Sequence, residues 1–210
     1  GVKNIRAAWG TSDVRYDWHA MPDTKALKRS ETLTAWRGER VSTQALIYSG
    51  VATDSVAPVS FQLSSFKNGR HTLPAEAVKA AFVRYVKTDA WSTPDGRGAG
   101  CGHRPDHTIY DSAMVADMID PHIEAIAMDA MSTRSVWVSC QVPADAAPGT
   151  YSGQLTIKAG KRTVAKLPLN IKVIDRTLPA PKDWAFHLDL WQNPFAEARY
   201  YNTPLWSDAH

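Results

Sequence analysis

The residues best suited to chemistry are scattered along the chain. Asp106, His107 and Asp111, with His103 just before them, place metal-type donors in one loop. Their spacing matches neither a zinc motif nor a calcium loop, so they read as a solvated polar loop, and no metal or other cofactor is expected. Asp117 and Asp120 look like a carboxylate pair for acid–base work, but the hydrophobic residues around them point to turn and capping roles. No Ser-His-Asp or Cys-His set is accompanied by a nucleophile motif such as G-x-S-x-G, and no catalytic residue is expected. What remains suits binding. Trp191 could stack on a flat ring such as a sugar face, with Gln192 and Asn193 beside it to bond hydroxyls. Trp91 is a second stacking candidate. Each has a plainer alternative: Trp191 packing under a following helix, Trp91 plugging the core. Arg37, Glu39 and Arg40 read either as Arg–Glu pairing at an inter-domain surface or as a solvated strand face.

The elements that must position these residues are organised around residues 136–175. Val136, Val138, Cys140 and Val142 alternate with polar neighbours. So do Tyr151, Gly153, Leu155 and Ile157, and then Ala165, Leu167, Leu169, Ile171 and Val173. Period-two alternation predicts three strands, each with one apolar face. Pro143 and Pro148-Gly149 mark the first turn and Ala159-Gly160-Lys161 the second. A sheet with one apolar face needs a second layer, which makes an antiparallel β-sandwich, Ig-like or jelly-roll-like, the economical fold.

Earlier in the chain, residues 2–9, 33–49, 56–64 and 80–89 read as further strands, with Pro58 demoting the start of one to an edge or bulge. Residues 11–30 read as irregular. Residues 90–110 form the longest Gly/Pro-rich stretch and read as a long loop. Residues 111–120 read as a short helical turn, and residues 123–133 are ambiguous between helix and extended chain. Beyond Asp175 the character changes. Residues 178–182 form a Pro-rich linker, 185–191 a strand-like run, and 195–201 the opening of a helix. Strand, loop and helix begin an α/β unit, so a domain over residues 1–177 is expected to give way to a different one over 178–210.

Composition narrows the class. The chain has 210 residues, 44% of them hydrophobic, and a formal net charge of +3. Mean hydropathy is −0.32. This suits a soluble globular protein, without the basic runs of a nucleic-acid binder or an apolar stretch long enough to span a membrane. Cys140 lies on the apolar row of its strand and Cys101 in a Gly-rich loop. They read as a buried thiol and an incidental one, or as a disulfide in an exported protein. The chain starts at Gly1 with no signal peptide, as a mature or trimmed form would.

A set of short segments in order carries a family resemblance. They are Ala35-Trp36-Arg37-Gly38-Glu39-Arg40-Val41 with Gln44, Arg84-Tyr85-Val86-Lys87-Thr88-Asp89, and Ala116-Asp117-Met118-Ile119-Asp120. Val136-Trp137-Val138, Val142-Pro143 and Pro148-Gly149-Thr150-Tyr151-Ser152-Gly153 follow, then Leu178-Pro179 and His187-Leu188-Asp189-Leu190-Trp191-Gln192. The chain resembles the N-terminal portion of glycoside hydrolase family 123-like proteins, also labelled DUF4091. The resemblance implies a β-sandwich leading into a (β/α)₈ barrel that cleaves β-linked N-acetylgalactosamine with an acidic pair and the substrate's acetamido group. It implies that the pair lies beyond His210, so this chain holds the accessory sandwich and a truncated first β/α unit. Trp191, Gln192 and Asn193 would then sit at the C-terminal end of a barrel strand, where active sites are built. The expected partner is the C-terminal barrel of the same polypeptide, with carbohydrate as a further ligand and self-association through the tail. The expected location is secreted, periplasmic or cell-surface. An independent carbohydrate-binding module or an Ig-like adhesion domain are the alternatives. A solvent-facing aromatic platform would favour the module, and a large apolar patch near the linker would favour the accessory domain.

Overall fold

A computed structural model describes residues 4–51, 58–88, 113–189 and 191–210. The strands are β1 (Ile5–Gly10), β2 (Glu31–Arg37), β3 (Arg40–Ser49), β4 (Val59–Leu63), β5 (Lys67–Asn68) and β6 (His71–Thr72). They continue as β7 (Val78–Thr88), β8 (Ala113–Asp120), β9 (Ala125–Ile126), β10 (Ser132–Gln141), β11 (Gly149–Ala159) and β12 (Arg162–Thr177). Besides three short 3-10 turns, a single α-helix among the described residues, α1, spans Pro194–Tyr201. The chain divides into two compact units, Gly1–Leu178 and Pro179–His210.

The first unit is a β-sandwich. One sheet runs β1-β3-β10-β7-β8 and the other β2-β12-β11-β4-β9, with the β5–β6 hairpin added to β11. The alternating rows meet between them: Val136, Val138 and Cys140 from one side, Leu155, Ile157, Leu169, Ile171 and Val173 from the other, all nearly inaccessible to solvent. Burying such rows is the main driving force for closing the two layers. Gly153 sits in this row because the buried Phe66 ring packs against it; a Cβ there would come within 2.7 Å of the ring.

Three expectations need correction. The sandwich is not wholly antiparallel: β2 runs parallel to β12, with Leu33 opposite Ile171. A parallel neighbour needs a long crossover, and here most of the first unit lies between the two strands. The described part of residues 111–120 is strand β8, not a helical turn; it pairs antiparallel with β7, and the cross-strand partner overrides the local preference. The strand-like run at 185–191 forms no strand in its described residues, since a strand requires a neighbour to bond and none pairs with it.

Residues 11–30 are irregular apart from one short turn at Thr24–Ala26, and although most of their side chains are exposed, their backbone is tied to the sheet. They strap the outer face of the first sheet. Gln44 donates through Nε2 to the carbonyls of Thr11 (2.6 Å) and Val14 (2.7 Å). The Tyr85 hydroxyl donates to the Tyr16 carbonyl at 2.7 Å. Thr133 donates its N–H to the Trp18 carbonyl at 2.8 Å and its hydroxyl to the Ala20 carbonyl at 2.7 Å. Leu46 and Ser135 are fully buried as a result. The strap therefore covers this part of the outer face, while Asp117, Met118 and Ile119 of β8 stay exposed.

Candidate functional site

Three of the residues singled out for binding, Trp191, Gln192 and Asn193, fall in the second unit. Trp191 is 97% exposed. Gln192 is exposed beside it, and Asn193 is the N-cap of α1. The Asn193 Oδ1 accepts the Ala196 N–H at 3.1 Å, with Pro194 at the first helical position, so the backbone occupies the carbonyl that would otherwise meet a hydroxyl. His187 Nε2 lies 2.9 Å from Asp189 Oδ1, both exposed. The unit is held by local contacts. Trp184 stacks on Phe186 and donates to the Pro179 carbonyl, the His210 ring reaches the Pro194 carbonyl at 2.9 Å, and Trp206 meets Phe195 edge-on. Half of the large apolar side chains exposed among the described residues belong to these last residues, including Phe195, Tyr200, Tyr201 and Trp206. Trp91, Cys101, His103, Asp106, His107 and Asp111 lie outside the described residues.

The charged candidates of the first unit serve the fold. Arg37 does not pair with Glu39; its Nη2 meets Asp175 at 2.9 Å, while Glu39 accepts the Trp36 N–H at 2.7 Å and Arg40 donates to Gln141. Gly38, at φ +81°, lets the β2–β3 turn close, a left-handed conformation that favours glycine. Asp117 is exposed on β8. Asp120, at the end of that strand, accepts the His122 N–H at 2.9 Å and pairs with Arg84. The His122 amide, against the opposing effect of burial and with help from the Arg84 guanidinium, holds its carboxyl below the usual carboxylate range. Among the described residues no group of His, Cys, Asp and Glu could hold a metal ion.

One cluster could not be read from the sequence. Arg134 is buried, and its guanidinium lies 3.9 Å from the centre of the Trp18 ring. Asp129 accepts from both, at 3.1 Å from Arg134 Nη2 and 3.0 Å from Trp18 Nε1. His19 stacks on the Trp18 ring at 4.9 Å, and Tyr85 tilts against it. Burial pulls the guanidinium down from its usual range, with Asp129 pushing back, and the same burial raises the Tyr85 hydroxyl. With its donors and ring face engaged, this is a fastening for the strap rather than a vacant site. The only signal was Trp18 within a polar stretch.

In the first unit, Trp36 is the only exposed aromatic among the large hydrophobic side chains that stand out to solvent in the described residues. It lies at one end of the second sheet, whose outer face otherwise carries Ser152, Gln154, Thr156, Asn170 and Lys172. Among the described residues that face shows no row of rings such as a carbohydrate-stacking platform carries.

A family model described as the glycoside hydrolase 123 N-terminal domain matches residues 9–159. Among solved structures, a family 123 glycoside hydrolase from Clostridium perfringens, studied for glycolipid glycan hydrolysis, superposes with a TM-score of 0.75 at 19% identity. The match covers 94% of this chain and 32% of that one, so the chain spans about a third of the enzyme's length. More distant are AvmM, which catalyses macrocyclization in alchivemycin A biosynthesis (TM-score 0.42, 9% identity, 85% of this chain and 92% of that one), and the N-terminal domain of PorA (TM-score 0.33, 9% identity, 81% and 99%). No curated protein matches.

Proposed function

Because the chain belongs to the family of glycoside hydrolase 123 N-terminal domains, we propose that it is the non-catalytic β-sandwich of a secreted glycoside hydrolase and that it supports a catalytic (β/α)₈ barrel. The observation that carries this reading is the aromatic surface of Pro179–His210. Phe195, Tyr200, Tyr201 and Trp206 stand uncovered on a short unit, far more apolar surface than so small a body keeps in water. The barrel that the family resemblance implies would cover it, with residues 178–210 as linker and opening β/α unit. The similar enzyme, of which this chain spans about a third, leaves room for such a domain. Trp191, Gln192 and Asn193 would lie near the sugar in the assembled protein, Trp191 as the stacking surface. Its substrates would carry β-linked N-acetylgalactosamine. No helix among the described residues is long and apolar enough to cross a membrane.

The experiment compares the purified chain with the longer protein on an aryl N-acetyl-β-galactosaminide. The longer protein should turn it over, and this chain should not, because two positioned carboxylates, or one with an acetamido group, are needed. Turnover by the chain alone, abolished by a substitution within it, would overturn the reading.

A further inference from the structure

Beside β1 the strap borders an open pocket of ≈ 360 Å³. Arg6, Lys28 and Arg29 line it together with Thr24 and Tyr48, and among the described residues no carboxylate lines it. The Lys28 ammonium is partly neutralised by Glu31 at 3.1 Å. The guanidinium groups of Arg6 and Arg29 make no hydrogen bond or ion pair among the described residues. Like charges brought together without a counter-ion repel, and an anion between them relieves that cost.

The backbone of the wall is fixed. Trp9, fully buried, donates its N–H to the Lys28 carbonyl at 2.8 Å and accepts the Lys28 N–H at 2.9 Å, so the strap is fastened to β1 at the pocket. Arg6 stands directly opposite Tyr48 in the β1–β3 register. Thr24 opens a single helical turn capped by Asp23, whose Oδ1 accepts the Lys25 N–H. The lining residues, of which Arg6, Thr24, Lys28 and Arg29 are exposed, offer two guanidinium forks and two hydroxyls, which match the several acceptor oxygens of a compact oxyanion.

We propose that this pocket binds an oxyanion of the sulfate or phosphate type, free or as a substituent on a saccharide. The saccharide arm rests on the function proposed above; the anion arm does not.

The test titrates the chain with sodium sulfate against sodium chloride at matched ionic strength, following the thermal midpoint. Sulfate stabilises folded proteins generally by exclusion, so the readout is the difference between wild type and the Arg6→Gln and Arg29→Gln variants. Calorimetry then compares N-acetylgalactosamine 4-sulfate with N-acetylgalactosamine. Each arginine variant should weaken sulfate binding by about tenfold or more, the loss of a charge-assisted hydrogen bond. Lys172→Gln, on the other sheet, should leave it unchanged. A sulfated sugar that binds more tightly than both the plain sugar and sulfate assigns the site to a glycan substituent. A sulfated sugar no better than sulfate supports the pocket and assigns it to the free ion. Equal responses of wild type and the arginine variants, or an equal loss with Lys172→Gln, overturn the proposal. Because the readout is binding, it fails or succeeds independently of glycosidase activity in the longer protein.

Discussion

Cys140 shows how far one position carries. Its alternation with Val138 and Val142 is visible in the sequence, and the structure buries it in the core as a free thiol. Burial pushes that thiol up to about 11, so at neutral pH it stays protonated and unreactive. Cys140→Ser should destabilise the sandwich by roughly 1–3 kcal/mol, because a hydroxyl there is buried without an arranged partner. A urea denaturation midpoint equal to wild type would show that the thiol is not in the core. Other residues were illegible for a physical reason. Arg134 is covered by Trp18, more than a hundred positions away, and no local pattern around either residue announces the contact. Asn193 has the composition of a sugar ligand and of an N-cap alike, and only the backbone of α1 decides which task its carbonyl performs.

At the level of elements, strands with regular alternation were legible: β10, β11 and β12 lie where their apolar rows place them. Those set by long-range partners were not. The residues of β8 carry a helical composition, and only β7 alongside makes them a strand. The strap looks like a loop because its hydrogen bonds are made by carbonyls, which every residue has. Gly153 tests the fit between elements. It stands in the apolar row of β11, and Phe66 occupies the space its side chain would fill. Gly153→Ala should therefore cost about 1–3 kcal/mol through overpacking, even though alanine suits a strand better than glycine. The thermal midpoint reads the effect, and restoring it with Phe66→Leu in the same chain would confirm that the two side chains compete for one volume. A stabilised single variant would show that the ring moves aside freely.

For the whole molecule, the two units predict different behaviour. The sandwich has an enclosed core, whereas Pro179–His210 presents aromatic side chains to water. The purified chain should self-associate through this second unit, and light scattering should show a monomer once it is removed. The cut belongs after Leu178, not after Asp175, because β12 continues to Thr177 and the Leu178 N–H donates to the Arg37 carbonyl at 2.8 Å. A monomeric full chain that unfolds on truncation would make the last residues part of the sandwich. The parallel pairing of β2 with β12 also sets a timetable. During synthesis β2 leaves the ribosome early and then waits for a partner that is nearly the last piece of the sandwich to be made. Until then its edge is open on the nascent chain, a template for any other extended segment. A pause before Leu178 prolongs that interval, so the yield of soluble protein depends on how quickly translation passes through β12 as well as on the stability of the finished fold.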